Sequence, residues 1–339
     1  GIVVSMFTAL VVTRLLVYSF YAIGIRNPKV YGRVKEERKP IDFLGKKKVF
    51  FVVSIALCLS GFVVMGINSA RDVGALNYSL DFVGGTATTV TFDKEYTLEE
   101  VDSQMVPELE KITGDKNVQV QTVKGTNQVV FKTQTLDLEK REAFESYMQN
   151  EFGVKEEIAT ENISSTVSSE MRQDAIIAVI ISAICMLIYI WFRFKDIRFA
   201  TSAVLALVHD VLVVLAFYAI ARVSVGNTFI ACMLTIVGYS INATIVIFDR
   251  IRENMKAASK KTDLAEVVNL SITQTLTRSI YTSFTTFVMV AVLYVMGVAS
   301  IREFALPLIV GILCGAYSSV CITGALWYVM KTKIGRRSN

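Results

Sequence analysis

The chain has 339 residues, 53% of them hydrophobic, and a formal net charge of +5. Its mean hydropathy of +0.49 is too high for an ordinary soluble domain and indicates a protein with several membrane spans. The single histidine excludes a multi-histidine metal centre, and no metal-ligand spacing is present. All five cysteines fall in apolar stretches, which favours small buried side chains over a disulfide framework.

Seven apolar stretches are long enough to cross a bilayer, because a hydrocarbon core about 30 Å thick needs roughly 20 helical residues. Backbone groups find no water in lipid, so each stretch is expected to be a helix. The chain opens beside an apolar run without a basic leader, and we expect Gly1 to be a cut end inside a longer protein. The predicted spans are 3–22, 49–67, 175–194, 200–221, 228–248, 279–298 and 304–329.

The charges of the connecting segments predict the orientation of these spans. The linker 24–48 holds nine Lys and Arg against three acids, which places it in the cytoplasm. The basic 249–277 loop and the basic tail 331–339 fall on the same side, where anionic membrane lipids favour positive charge. Residues 68–170 carry 19 acids against nine basic residues and are expected to be extracytoplasmic, inserted between the spans up to 67 and a bundle over 171–330.

The extracytoplasmic region 68–170 has the pattern of a small α+β domain. Thr97 and Glu100 have the spacing of a capping box and predict a helix over 97–112. Gly84 and Gly85 indicate a turn, with an anion-binding loop as the alternative. Two helices among antiparallel strands suggest a ferredoxin-like domain. The second helix is predicted at 137–152, and the strands at 78–82, 87–92, 118–123, 128–134 and 155–166.

Polar residues inside the spans are candidates for function, because they are unfavourable in lipid. Asp210 lies near the middle of its span, Asn242 and Thr244 lie in the next one, and Arg278 opens a hydroxyl-rich stretch. By depth, Asp210, Asn242 and Arg278 are expected to meet in the cytoplasmic half of one bundle. A buried carboxylate can take up a proton, which suits proton exchange.

Structural alternatives exist for the same residues. Arg278 can extend its side chain to the inner membrane interface without any functional role. The hydroxyls of the sixth span can serve as small packing residues between helices. Asp210, at mid-depth, is the hardest of these residues to explain by packing alone.

The stretch GYSINATIVIFDRIREN (238–254) resembles the signature of the SecF family, the accessory subunit of the bacterial Sec export machinery. The segment SMFTALVVTRLLV (5–17) is similar to the last span of SecD, so the chain resembles the carboxy-terminal part of a fused SecD–SecF protein. Four more segments resemble SecF in the same order: LDFVGGT (80–86), ALVHDVLVV (206–214), TRSIYTSFTTF (277–287) and IREFALPLIVGILCGAYSS (301–319).

This resemblance implies a membrane all-α bundle of the resistance-nodulation-division (RND) type with an inserted extracytoplasmic domain. It implies an accessory component of the Sec translocase in the bacterial plasma (inner) membrane, where proton flow drives an outside domain that holds emerging preproteins. The implied partners are the SecD half, the Sec translocon channel SecYEG and the translocating preprotein. No nucleic acid is expected, and the coupling proton takes the place of a cofactor.

One residue departs from the family signature, which runs Ile-Asn-Asp-Thr where this chain has Ile241 to Thr244 with Ala243 in third place. The resemblance implies a proton-carrying aspartate at this position, paired with an arginine that corresponds to Arg278. An engineered change and a natural loss both explain the alanine. With the acid absent, Asp210 is expected to become the partner of Arg278. Thr282 and Ser283 complete the predicted proton pathway, whereas Asp249, Arg250, Arg252 and Glu253 are expected to cap the helix and hold the cytoplasmic turn.

Two other classes of function remain open. An RND-type exporter of lipids or small molecules shares the architecture but usually carries much larger outside domains. A non-energised Sec assembly factor would fit the missing aspartate. An enzyme is not expected, because the sequence shows no nucleophile–base pair and no set of metal ligands.

Overall fold

The computed structural model describes residues 2–31, 39–71, 74–115, 118–123, 126–154, 158–259, 262–297 and 299–334. The chain divides into two compact units, 1–39 and 40–339. The first unit is helical over α1 (Ile2–Phe7), a π-helical stretch (Thr8–Val12) and α2 (Thr13–Ala22), and then forms the short α3 (Pro28–Tyr31). Its apolar helix Thr8–Ala22 is shorter than a full span, so the predicted span 3–22 stays a prediction.

The second unit begins with a long apolar helix and continues into an α+β domain. The helix α4 (Lys47–Ala70) contains the predicted span 49–67. The domain then runs β1 (Asn77–Tyr78), α5 (Leu80–Val83), β2 (Gly85–Thr91), α6 (Leu98–Gln104), α7 (Val106–Thr113), β3 (Gln119–Thr122), β4 (Gln128–Thr133), α8 (Leu138–Phe152) and β5 (Ala159–Ile163).

Four strands of the domain form one antiparallel sheet in the order β3-β4-β2-β5. Phe131 on β4 lies opposite Thr88 on β2 and Val120 on β3. Alternate residues of the central strands point to one face, where the helices cover them. The fully buried core side chains there are Val90, Val101, Met105, Leu109, Val129, Phe131, Phe144 and Met148.

Two local predictions for this domain are wrong. The strand predicted at 78–82 from its alternating apolar and polar residues is replaced by α5 from Leu80 on, because an alternation over only five residues is too short to exclude a helical turn. The helix predicted over 97–112 is interrupted at Met105, and a new helix starts where Pro107 occupies one of its first two positions. Proline has no backbone N–H to continue the first helix but suits the start of the second.

Gly84 and Gly85 change the chain direction between α5 and β2. Their φ angles of +78° and +142° are rarely adopted by residues with a side chain. Gly85 is also the first residue of β2 and pairs with Ile163 on the edge strand β5. The two glycines therefore connect α5 to the sheet.

The predicted capping box at the start of α6 is confirmed. The Glu100 amide donates to Thr97 Oγ1 at 3.3 Å, and the Thr97 amide donates to Glu100 Oε2 at 2.8 Å. The bond from the Thr97 amide is the main cause that lowers the pKa of Glu100 below its usual value of 4.5. A carboxylate with a lowered folded-state pKa stabilises the fold above its unfolded pKa and loses this contribution as the pH falls through the folded value.

We therefore expect Thr97→Ala to destabilise α6 by about 1 kcal/mol near neutral pH. Glu100→Gln should flatten the loss of α6 stability that occurs as the pH falls below 4.5. Hydrogen exchange of the α6 amides, measured on either side of that pH, tests both expectations. The exposed Glu95→Gln is the control, and a Glu100→Gln protein with the wild-type pH profile would contradict the assignment.

Five further long elements follow the domain. They are α9 (Ser165–Phe194), α10 (Ile197–Ala221), α11 (Asn227–Ala257) with β6 (Ser224–Val225) before it, α12 (Leu264–Met296) and α13 (Ala299–Tyr317). A π-helical stretch (Ser318–Thr323), α14 (Gly324–Val329) and a second π-helical stretch (Met330–Ile334) extend the last of these. Within the described residues, six helices are long and apolar enough to cross a membrane, and they contain the last six predicted spans apart from residues 297 and 298, of which 298 lies outside the described part.

The predicted cytoplasmic loop 249–277 is mostly helical. Helix α11 continues to Ala257 and α12 starts at Leu264, so the connection covers only 258–263. Polar sequence at the end of a span is compatible with a helix that leaves the membrane, since water then replaces lipid around its charged side chains.

The last membrane helix (Ile301–Lys333) and α10 are the most buried of the six. Of their most apolar segments 56% and 44% are buried, against 11% for α4 and α12 and 6% for α9, so these three helices present apolar faces outward. Small residues allow the close approach of α4 to α10. A Cβ atom on Gly61 would lie only 2.4 Å from the Ala216 Cβ, so this contact requires glycine.

Hydrogen bonds fasten the α+β domain to the connection between α10 and α11. β1 pairs in parallel with β6. Asn77 donates to the Arg222 carbonyl at 2.9 Å and accepts from Gln119 at 2.6 Å. The Asp81 carboxylate accepts from the Asn227 amide at 3.3 Å, at the first residue of α11.

A second set of bonds fastens the segment before α4 to α12. Asn269 accepts from the amides of Phe43 and Leu44, both at 3.1 Å, and donates to Asp42 at 2.9 Å. The bond from the Gly45 amide, followed by the bond from Asn269, lowers the pKa of Asp42. The end of the predicted linker 24–48 is thereby held on the bundle, while residues 32–38 lie outside the described part.

Candidate functional site

The polar residues of α11 divide between two faces of the helix. Ser240 and Thr244 are four residues apart and are both buried in the bundle. Tyr239, Asn242 and Ala243 instead line a cavity shared with α12. The polar cluster in this stretch therefore belongs to two separate sites.

Asp210 is the centre of the first site. It is completely buried on α10. Ser240 on α11 donates to Asp210 Oδ2 at 2.5 Å, Ser318 donates to the same oxygen at 2.8 Å, and Cys314 on α13 donates to Oδ1 at 3.3 Å. Both carboxylate oxygens have partners, as a buried polar group requires. Three helices thus converge on one side chain.

His209 lies beside this carboxylate, with Nδ1 3.0 Å from Asp210 Oδ1 and Nε2 buried without a described partner. His209, Asp210 and Cys314 offer three ligand atoms within 4.8 Å of one another. These are ligand types that bind Zn²⁺. Hydrogen bonds between the same atoms already account for their proximity.

Ser318 begins a π-helical stretch that interrupts the last membrane helix. Such wide turns often occur at functional sites. Sequence reasoning did not single out Ser318 or Cys314, although both lie in the segment 301–319 that resembles the SecF family. Both residues are about a hundred positions from Asp210 along the chain, so no local pattern in the sequence could indicate their contact with it.

The second site is a cavity of about 60 Å³ between α11 and α12. A water molecule takes up about 30 Å³ in the liquid, so the cavity has room for one or two. Tyr239 donates to Ser283 Oγ at 3.0 Å and bridges the two helices beside it. The lining residues are Tyr239, Asn242, Ala243, Val246, Arg278, Ser279, Thr282 and Ser283.

Arg278 has no ion pair or hydrogen bond to any residue in the described part of the chain, and its side chain is exposed. The expectation that Asp210 becomes its partner is wrong. Asp210 packs against the Ser240 face of α11, whereas Arg278 approaches the face that carries Ala243. Thr244, also placed on the pathway by the sequence, is buried and does not line the cavity.

Other hydroxyls of α12 are bonded within their own helix. Thr285 and Thr286 donate to carbonyls of the preceding turn at 2.9 and 3.0 Å, and Ser271 does so at 2.6 Å. Thr282 and Ser283 differ, because they face the cavity beside Arg278.

The charged residues that end the predicted fifth span do not cap α11, because this helix continues to Ala257. Instead, Asp249 forms an ion pair with Arg193 at 2.9 Å, and Arg252 donates to the Arg193 carbonyl at 3.4 Å. These contacts hold the end of α9. Arg250 pairs with Glu253 at 2.6 Å on the surface of α11.

Comparison with known proteins shows which family has this sequence and arrangement of helices. Residues 143–333 match the family described as protein export membrane protein SecD/SecF, C-terminal. The chain is 36% identical over 298 residues to protein translocase subunit SecDF of Bacillus subtilis, covering 86% of this chain and 38% of that protein. It is 34% identical to protein translocase subunit SecF of Petrotoga mobilis, covering 84% of this chain and 94% of that protein.

Comparison with solved structures indicates the same family as comparison with related sequences. The crystal structure of SecDF, described as a translocon-associated membrane protein from Thermus thermophilus, matches with a TM-score of 0.80 and 33% identity. The match covers 98% of this chain and 44% of that one, so the chain spans less than half of the solved protein. A SecDF structure in the super-membrane-facing form matches with a TM-score of 0.72 and 31% identity. The chain is a multi-pass membrane protein and belongs to the SecD/SecF family of protein-export membrane proteins.

Proposed function

We propose that this chain is the SecF-like part of a Sec translocase accessory component that uses the proton-motive force to help complete preprotein export. In this proposal, proton binding between α11 and α12 drives movements of the α+β domain. The observation that carries it is the cavity shared by Ala243 and Arg278, in which the cation has no described partner.

The chemistry of this cavity fits a proton site that lacks its titrating group. Burial disfavours the charged form of a carboxylate and a nearby guanidinium favours it, so these opposed effects make proton affinity depend on the distance between the two groups. A movement of α12 relative to α11 would then change proton binding, which is the coupling a pump needs. Alanine supplies no such group, so the step is expected to be disabled in the sequence as it stands. Secretion that depends on a proton gradient, compared for alanine and aspartate at position 243, tests the proposal.

The α+β domain is proposed to hold the emerging preprotein. From β2 to β5, with α6 and α7 taken as one interrupted helix, the element order is β-α-β-β-α-β, and this order and the sheet order support a ferredoxin-like domain. A holder of many substrates should bind unfolded polypeptide weakly and with little sequence preference. We infer no enzymatic activity and no cofactor other than the coupling proton.

The proposed partners follow from the family and from the surface of the bundle. The apolar outward faces of α4, α9 and α12 suit lipid and a SecD half. The relatives are named protein translocase subunits, which supports association with the SecYEG channel and gives no support to an exporter of lipids or small molecules. The missing aspartate favours one alternative, a non-energised Sec assembly factor.

The orientation of the chain gives a direct test. With the native cysteines replaced, a single cysteine at the exposed Glu139 should react with an impermeant thiol reagent added to intact cells, because the domain lies outside. A cysteine at Ala258, in the short connection between α11 and α12, should react only after the cells are opened. Labelling of position 258 but not of position 139 in intact cells would reverse the topology.

A further inference from the structure

A polar cleft of about 330 Å³ lies where the α+β domain meets the membrane bundle. β3 and β4 form its domain side. The residues that follow α10 and the facing ends of α12 and α13 form its membrane side. The cleft is remote in the chain from the cavity at Ala243, and it opens at the opposite end of α12 from the connection 258–263.

Three cations from three separate elements line this cleft. Lys132 comes from β4, Arg222 follows α10, and Arg302 lies on α13. Glu303 is the one acid among the described residues of the lining, and it accepts a hydrogen bond from Gln121 at 3.2 Å. Positive charge is uncommon in this region, because residues 68–170 carry 19 acids against nine basic residues. The cleft is therefore a local cationic site where this acidic domain meets the bundle, with one cation from the domain and two from the bundle.

Several donors in the cleft are not used by the protein itself. Arg302 donates through Nη2 to the Val295 carbonyl at 2.9 Å, while its buried Nε has no described partner. Ser224 Oγ is also buried without a described partner. Lys132 acts electrostatically on Glu303 but forms no direct ion pair within the described residues. Buried donors without acceptors are unfavourable, so a ligand that accepts hydrogen bonds would be stabilised here.

We propose that this cleft binds a phosphate group, that of a lipid headgroup in the membrane leaflet next to the α+β domain. Arginine and lysine together match the charge and the acceptor oxygens of phosphate. The cleft lies at the ends of membrane helices, where headgroups are found, and its lining includes Tyr294, a residue type that favours this depth. Val223 and Leu306 supply apolar lining beside the cations. Lys132 acts electrostatically against the negative charge of Glu303, which also accepts the bond from Gln121, while Asp81 adds a second negative charge nearby.

The test uses the whole protein, purified in detergent and titrated with short-chain phosphatidylglycerol, with diacylglycerol of the same chains, and with inorganic phosphate. Native mass spectrometry measures the bound fraction. We expect saturable binding of phosphatidylglycerol, none of diacylglycerol, and no displacement by inorganic phosphate at matched concentration. Lys132→Gln and Arg302→Gln should each weaken binding by about fivefold or more, since a hydrogen bond to a charged group is lost.

Lys111→Gln is the matched control, because it removes the same charge from an exposed position of the same domain and should leave binding unchanged. Lys132→Arg should keep binding and shows that the region still folds. Equal binding of diacylglycerol and phosphatidylglycerol, or unchanged binding in both glutamine variants, would overturn the proposal. Displacement by inorganic phosphate would overturn the assignment to a lipid and leave a site for soluble phosphate.

Discussion

Ala243→Asp is expected to raise proton-gradient-dependent secretion of a reporter preprotein by about tenfold or more, since the proposed proton relay gains the acid–base group that it lacks. The new carboxylate would enter a cavity of about 60 Å³ that also contains Arg278, Thr282 and Ser283. The guanidinium is available, because it has no ion pair in the described part of the chain. The hydroxyls and one or two waters would connect the site to its surroundings.

The controls for this prediction use the same two helices. Ala243→Asn adds a side chain of the same shape that cannot bind a proton near neutral pH, and it should leave secretion at the starting level. Ala243→Asp combined with Arg278→Gln should lose most of the gain, because the cation no longer changes the proton affinity of the acid. Secretion is measured with and without an ionophore that removes the proton gradient. Equal gradient-dependent secretion with alanine and aspartate would move the proton site elsewhere, with Asp210 as the next candidate.

Asp210→Ala is expected to lower the free energy of unfolding by about 2–4 kcal/mol, as a cavity forms and several buried donors lose their acceptor. The donors are Ser240 on α11 and, in the last membrane helix, Cys314 and Ser318. Interhelical hydrogen bonds in membranes average about 0.6 kcal/mol each, so the lower end of this range is reached only if the cavity contributes as well.

Asp210→Asn separates the structural role of this residue from a role in proton exchange. Asparagine keeps one acceptor oxygen and nearly the same volume, so it should destabilise the bundle less than alanine does. Thr201→Ala, which removes an exposed hydroxyl bonded to its own helix, is the control and should change stability little. Unfolding in mixed detergent, followed by helical circular dichroism, gives the free energies. Equal stability of the alanine variant and the wild type would show that the buried hydrogen bonds do not hold the helices together.

Local signals in the sequence predicted most of the elements of this protein. Capping at Thr97, the two hairpin strands around 126–127 and the second domain helix all follow from neighbouring residues, and the structure contains them. The sequence did not predict α5 or the break at Met105, because an alternation over five residues and a single proline are compatible with more than one local structure. The lengths of α11 and α12 were also underestimated, since hydropathy reports where lipid ends and not where a helix ends.

Composition and short stretches of residues were enough to predict the membrane character, the family and the departure at Ala243. That Asp210 and Arg278 belong to different sites could be seen only in the packed bundle. Depth along a span is readable from sequence, but the direction in which a side chain points depends on how each helix is rotated against its neighbours. Packing of α10 and α13 on one side of α11 and of α12 on the other set that rotation. The cationic cleft likewise exists only where β4, α13 and the end of α10 meet, since no two of its three cations are close in the chain.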